Sequence, residues 1–325
     1  LNQDIDIDQL AKDVVTADRR ALARAISLIE EGGKPARQLT SRLFVHSGKS
    51  HLIGITGSPG VGKSTLVDVL IGQIRKQGLS VAVLAIDPSS PFSGGAILGD
   101  RIRMQEHTLD EGVFIRSMAN KGQSGGIAIA TYDAVRMLEA AGYDIVIIET
   151  VGVGQSELAI ALAADTTILV LMPGSGDDIQ AIKSGIMEIG DIFVINKADL
   201  PGANKTKAEI VSALEMVPHT TDWRPKVIMA NSVAGDGAQE IWQTLCAHKE
   251  FLSNSGLIKE RRQAKFQAEL SEIVAAKAKD RFIKAMSTSP HVQKLLSQVA
   301  ERKLDTNSAA EEILSSLIGP HPDEK

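Results

Sequence analysis

Cysteine is almost absent from this sequence: Cys246 is the only one in 325 residues. A disulfide scaffold and a cysteine-built zinc centre are therefore excluded, and a reducing compartment is the natural reading. Cys246 follows Ile241-Trp242-Gln243-Thr244-Leu245, so it is expected to pack inside a helix rather than act as a nucleophile. Positive charge is not in excess either. With a net charge of -5, a general nucleic-acid-binding role has no electrostatic support. The basic cluster Lys259-Glu260-Arg261-Arg262 reads as the solvated face of a helix. The seven histidines are scattered, without the paired spacing of a metal site.

Long apolar runs are also missing, and none approaches the roughly 20 residues that span a bilayer. The start, Leu1-Asn2-Gln3-Asp4, is acidic and polar and shows no signal peptide. A cytoplasmic location is expected. Because the chain opens on Leu1 rather than methionine, the native N-terminus is open to having been removed, and with it the mitochondrial matrix stays open.

What is present falls into three regions. Residues 1–49 read as helical, with Asp8 capping a helix whose apolar face carries Leu10, Val14, Ala17, Ala21, Ala25 and Leu28. Gly32-Gly33 is expected to end it, and Pro35 to open a shorter second helix. Residues 50–252 alternate short apolar runs with helical patterns. Strands are expected at 52–56, 81–86, 113–116, 145–149, 168–172, 192–196 and 227–230. Their continuous apolar character predicts an α/β domain with a mostly parallel sheet flanked by helices. Residues 253–325 return to helix, with breaks expected at Ser289-Pro290 and at 305–307.

The most informative string is Gly57-Ser58-Pro59-Gly60-Val61-Gly62-Lys63-Ser64, with Thr65 behind it, between a strand and a helical pattern. This is a complete Walker A motif in its confirming context. The glycines let backbone N–H groups turn inward around phosphate oxygens at a helix N-terminus. Lys63 is expected on the β- and γ-phosphates, and the Ser64 hydroxyl on Mg²⁺.

Asn196-Lys197-Ala198-Asp199 follows a later strand. The Asp199 carboxylate can accept hydrogen bonds from the guanine N1–H and amine, which adenine cannot supply. Asn231-Ser232-Val233 ends the next strand, placed to close over the base with its N–H groups.

Between these lies Glu149-Thr150-Val151-Gly152, an acid followed three residues later by Gly at a strand end. That pattern suits sensing of γ-phosphate, with Glu149 near Mg²⁺ and the Gly152 N–H near phosphate. No Gln directly follows Gly152, so slow intrinsic turnover is expected. Asp87, at the end of the second strand, suits an outer-shell Mg²⁺ contact, or else simply caps the Pro88-Ser89-Ser90 turn. Asp100 is expected to position water. Gly174-Ser175-Gly176-Asp177-Asp178 with Lys183 reads equally as a switch loop or a capped helix start. The motifs together describe a GTPase using GTP/GDP and Mg²⁺.

With these residues in view, the chain resembles the MeaB/MMAA/ArgK family of P-loop GTPases, chaperones of cobalamin-dependent acyl-CoA mutases. The resemblance covers nearly the whole chain. It is carried most specifically by residues 17–26, Asp87-Pro88-Ser89-Ser90, Gly99-Asp100-Arg101, residues 149–157 and residues 176–183. It implies a nucleotide cleft from residues 57–65, Asp199 and 231–233, and acidic Mg²⁺ positions at Asp87, Asp100 and Glu149. It also implies a further switch at 177–183 facing a mutase, most readily methylmalonyl-CoA mutase, and a homodimer through a C-terminal helical arm. The expected organisation is then 1–49 helical, 50–252 GTPase domain and 253–325 dimerisation arm. The stretch after Arg262 lacks the tryptophans common in that arm.

Two other readings stand beside it. One is a kinase phosphorylating a transport-associated binding protein, an older label for relatives, in which Asp100 would serve as base. The other, a nickel-delivery GTPase, is opposed by the lack of a His-rich tract or paired cysteines.

Overall fold

The computed structural model describes residues 5–88, 107, 109–120, 129–150, 156–174, 186–216 and 221–318, with backbone alone at 87–88, 119–120, 156–159, 186 and 317–318. The chain divides into two compact units, Leu1–Lys265 and Phe266–Lys325.

The first unit is built on seven strands: β1 (His51–Thr56), β2 (Val81–Pro88), β3 (Val113–Asn120), β4 (Ile145–Thr150), β5 (Thr166–Leu171), β6 (Ile192–Ile195) and β7 (Lys226–Met229). All pair in parallel, in the order β3-β2-β4-β1-β5-β6-β7. Strands β1, β4, β5 and β6 are buried along their whole length, which is why they read as unbroken apolar runs. β1 lies at the centre, flanked by β4 and β5, so its C-terminal end opens on the crevice where doubly wound sheets bind ligands.

Alternate residues of β1 serve two layers. Ile53 and Ile55 meet α4 (Lys63–Lys76) and α8 (Ala238–Ser255) through Leu66, Leu70, Ile241 and Leu245. Leu52, on the opposite face, joins a core made by α1 (Ile7–Val15), α2 (Arg19–Glu31), α3 (Gly33–Leu43), α5 (Ile129–Ala140) and α6 (Ser156–Ala163). The N-terminal helices therefore share their core with the sheet. A smaller cluster packs α7 (Ala203–Met216) on Leu169, Leu171 and Phe193.

The N-terminus differs from the single long helix expected there. Asp6, not Asp8, caps α1, and Asp18 caps α2 through the Ala21 N–H. The break falls at Ala17, whose φ of 61° lies in the left-handed region no helix interior admits. The apolar period runs on because both helices face the same core. Pro35 lies in the first turn of α3, where its missing N–H costs nothing.

Cys246 is exposed, contrary to its expected packing role. The buried face of α8 is Ile241, Thr244, Leu245, His248 and Leu252, and Cys246 falls beside that stripe. The basic cluster is corrected too. Arg261 and Arg262 open the long helix α9 (Leu257–Thr288), and both bind acids of the sheet.

The second unit comprises the rest of α9 with α10 (Pro290–Ala300) and α11 (Thr306–Ile318). Ser289 caps α10 with Pro290 in its first turn, and Asp305 accepts from the Asn307 and Ser308 N–H groups at the start of α11. Ala285, Val292, Leu295 and Ile313 form its small core. No helix among the described residues is long and apolar enough to cross a membrane.

Candidate functional site

The segment between β1 and α4 is a backbone device. Gly57, Gly60 and Gly62 have φ of 144°, 81° and 94°, which leaves the turn to residues without a Cβ. Two of them also sit where a Cβ has no room: at Gly57 it would overlap the Val170 carbonyl, and at Gly62 the Asn196 amide. Lys63, 7% exposed, donates from Nζ to the Gly57 and Ser58 carbonyls at 2.7 and 3.0 Å. Its ammonium is thereby held over the turn, in place for an anion held at the N-terminus of α4.

Ser64, on the next residue, donates to Glu149 Oε1 at 2.6 Å. Glu149 is 4% exposed at the end of β4. A buried hydroxyl and carboxylate at hydrogen-bond distance, beside a glycine cradle, form a hard oxygen set that fits Mg²⁺. Under them the hydroxyls of Thr56 and Thr150, the last residues of β1 and β4, are 3.4 Å apart.

The guanine-type residues converge on the same edge. Asn196, buried, donates from Nδ2 to the Val61 carbonyl at 2.8 Å and accepts at Oδ1 from the Ser232 N–H and hydroxyl, at 3.0 and 2.8 Å. One amide thus ties the phosphate turn to the loop after β7. Lys197 adopts φ 54° and donates to the Gly60 carbonyl at 2.7 Å. Asn231 shapes its own loop: Oδ1 accepts from the Val233 and Ala234 N–H groups, and its backbone bridges Asp236. Val233 is 89% exposed. Asp199 is exposed, its carboxylate left for a ligand.

Of the expected site residues, the structure brings together Gly57, Ser58, Pro59, Gly60, Val61, Gly62, Lys63, Ser64, Thr65, Glu149, Asn196, Lys197, Asp199, Asn231, Ser232 and Val233. Asp87 is placed by its backbone alone, on β2 opposite Ala119 of β3. Asp100, Gly152 and residues 176–183 lie outside the described residues. The sequence reading missed the Thr56–Thr150 pair and the part of the Ser232 hydroxyl. The first could be sought as the residue before Gly57 and the residue after Glu149; the second has no pattern of its own.

A second polar cluster, at the opposite end of the sheet, was also missed. Thr166 Oγ lies 2.8 Å from His51 Nε2 and 2.8 Å from His248 Nδ1. His248 Nε2 in turn lies 3.4 Å from Asp191. Proton placement follows from charge: His51 donates to the hydroxyl, the hydroxyl donates to His248, and the His248 N–H faces the carboxylate. Burial holds both imidazoles down at about 4. Arg261 binds both oxygens of Asp191, and Arg262 binds both of Asp165. Those acids also accept the backbone N–H groups of Thr167 and Leu52. These residues come from separate stretches around His51, Asp165-Thr166, Asp191, His248 and Arg261-Arg262, and none forms a local motif.

Comparisons with known proteins agree with this geometry. Residues 22–287 match the family described as methylmalonyl-CoA mutase-associated GTPase MeaB. A Pyrococcus abyssi protein provisionally named a GTPase is 46% identical over 96% of this chain and 97% of its own length. The mouse protein named methylmalonic aciduria type A homolog is 34% identical over 97% of this chain and 80% of its own length. A solved structure of a protein named LAO/AO transport system kinase superposes with a TM-score of 0.73 at 27% identity, covering 97% of this chain and 99% of that one. The chain is a nucleotide-binding, GTP-hydrolysing protein, and it belongs to the MeaB family of methylmalonyl-CoA mutase-associated GTPases.

Proposed function

We propose that this chain spends GTP to gate cofactor loading and protection of an adenosylcobalamin-dependent acyl-CoA mutase, with methylmalonyl-CoA mutase the first candidate. The observation that carries it is the family match over residues 22–287, whose description names that mutase. The mouse relative's name points the same way.

In this reading the turn N–H groups and Lys63 bind the phosphates, and Lys63 neutralises charge on the transferring phosphoryl group. Ser64, Asp87, Asp100 and Glu149 would hold Mg²⁺, which when bound offsets phosphate charge. Gly152 would sense the γ-phosphate through its N–H, and Asp100 would orient water. Asp199 reads guanine, while Asn196 fixes both walls of the pocket. Residues 177–183 would report the nucleotide state to the mutase.

A second reading, phosphorylation of a transport-associated binding protein, is favoured only by the name of one structurally similar protein. Mixing the chain with a candidate mutase and γ-labelled GTP separates the two. Slow release of labelled phosphate by the chain alone, accelerated by the mutase, is expected. Label on a partner protein, or fast release indifferent to the mutase, would overturn the chaperone reading.

A further inference from the structure

The buried chain of Asp191, His248, Thr166 and His51 has an open end. The Asp191 carboxylate draws the His248 proton to Nε2, 3.4 Å away. His248 Nδ1 then accepts from the Thr166 hydroxyl at 2.8 Å, and that hydroxyl accepts from His51 Nε2 at 2.8 Å. One buried charge thereby fixes the tautomer of a ring it does not touch: the His51 proton is on Nε2, and Nδ1 is a bare acceptor. Burial holds the ring's pKa down at about 4, so Nδ1 keeps its lone pair near neutral pH. No hydrogen-bond partner meets Nδ1 among the described residues. Nor is that atom sealed inside the fold.

His51, 4% exposed, lines a cavity of about 330 Å³ between α8 and the N-terminal ends of β1 and β4. Leu79, Ile145 and Trp242 give it apolar walls. Trp242, Cys246 and Lys249 line it from α8 at helical spacing. Every lining residue belongs to the first unit. The phosphate turn follows the other end of β1, so this cavity is not the nucleotide cleft. Its size falls within the roughly 300–1,000 Å³ of small-molecule sites, and apolar walls with one placed polar group are their usual composition. Lys249 and Glu250, both exposed, add one charge of each sign. The lining therefore selects neither an anion nor a cation. What it asks of a ligand is a flat apolar body and a hydrogen to donate.

We propose that this cavity is a second ligand site, for a small neutral aromatic molecule whose O–H or N–H donates to His51 Nδ1. The aromatic body lies along Trp242. Asp191, His248 and Thr166 are positioning residues, because they hold the acceptor in its unprotonated form. The site is independent of how GTP is bound or used.

The test uses the full chain saturated with GDP, which fills the nucleotide cleft, and two probes, β-naphthol and its methyl ether. They share a ring system, and only the first has a donor. Cys246 is the only cysteine, is exposed and lines the cavity, so its rate of maleimide labelling reports occupancy at this place alone. β-Naphthol is expected to slow labelling at least about fivefold at saturation. The ether should need about ten times the concentration, since it leaves the buried acceptor unpaired. His51→Phe keeps a ring of similar size without the acceptor and is expected to respond equally to both probes. Unslowed labelling up to the solubility limit of β-naphthol overturns the proposal. So does equal protection by the two probes in the wild type, or a preference that survives in His51→Phe. Where His51→Phe does not fold, the wild type decides: a tenfold preference for the donor supports the site, and equality overturns it.

Discussion

At the scale of single residues, the site shows how much one side chain can organise. Asn196 was expected only as part of a guanine motif, yet its amide is spent wholly on protein, on Val61 and Ser232. In the proposed function base reading falls to Asp199, which is exposed. Asp199→Asn replaces a charged acceptor by an amide that presents N–H₂ toward guanine donors. GTP affinity is expected to fall about ten- to a hundredfold, as hydrogen bonds to charged groups contribute roughly 1.5–3 kcal/mol. Titration of GTP and XTP on both proteins checks it; unchanged GTP affinity would refute the assignment. Lys63→Ala removes the ammonium held over the turn. Single-turnover hydrolysis should drop by about a hundredfold or more, and hydrolysis within tenfold of wild type would contradict that role. Both residues stood out in the sequence because the chemistry proposed for them depends on short spacings along the chain. The Ser64–Glu149 bond joins the first turn of α4 to the end of β4 and was legible only as two separate motifs.

At the scale of elements, the strands buried along their whole length, β1, β4, β5 and β6, were readable because their middles are apolar runs with polar residues confined mostly to the ends. Helix limits were harder. A left-handed residue at Ala17 breaks a helix without breaking its apolar period, and Arg261 and Arg262 look like surface until the acids they meet are known. Those acids, Asp165 and Asp191, stand directly before β5 and β6 and are 3% and 8% exposed at the side chain. Arg262→Ala leaves Asp165 buried without its guanidinium, and is expected to cost about 3 kcal/mol in chemical denaturation. Adding Asp165→Asn should return part of that loss; an effect under about 0.5 kcal/mol would mean the pair is screened as surface pairs are. The neighbouring histidines add a pH dependence. Asp165, Asp191, Arg261, Arg262 and Lys249 surround them, and the four clamp charges cancel, so a proton on either ring is uncompensated. Both rings titrate at about 4 in the folded chain against 6.5 when free. The unfolded chain thus takes up more protons between those values. Stability is therefore full above about pH 6.5 and falls as pH drops toward 4. His51→Gln with His248→Gln should flatten that slope in denaturant titrations at pH 7 and pH 5, and an unchanged slope would assign it to other groups.

At the scale of the whole molecule, the α/β core with its phosphate turn was legible, while the assignment of residues to units depended on tertiary pairings. The clamp at Asp165 and Asp191 explains why the first unit runs to Lys265 and beyond the expected boundary at Leu252. Past Lys265, α9 carries exposed apolar side chains. Leu270 and Val274 are 62% and 55% exposed. Four-residue spacing puts them on one face, while Ile283, 50% exposed, falls on another. Such a stripe in water favours self-association, and two-fold pairing is the commonest form. We propose a homodimer through this stretch of α9. The full chain carrying Leu270→Asp and Val274→Asp is the direct test, since both side chains are exposed and the change leaves the first unit's core untouched. Light scattering is expected to show half the wild-type mass, with fluorescent GDP binding retained because every residue proposed to bind the nucleotide lies in the first unit. An unchanged mass with normal GDP binding would place the interface elsewhere, and a wild-type protein that scatters as a monomer would remove the dimer altogether.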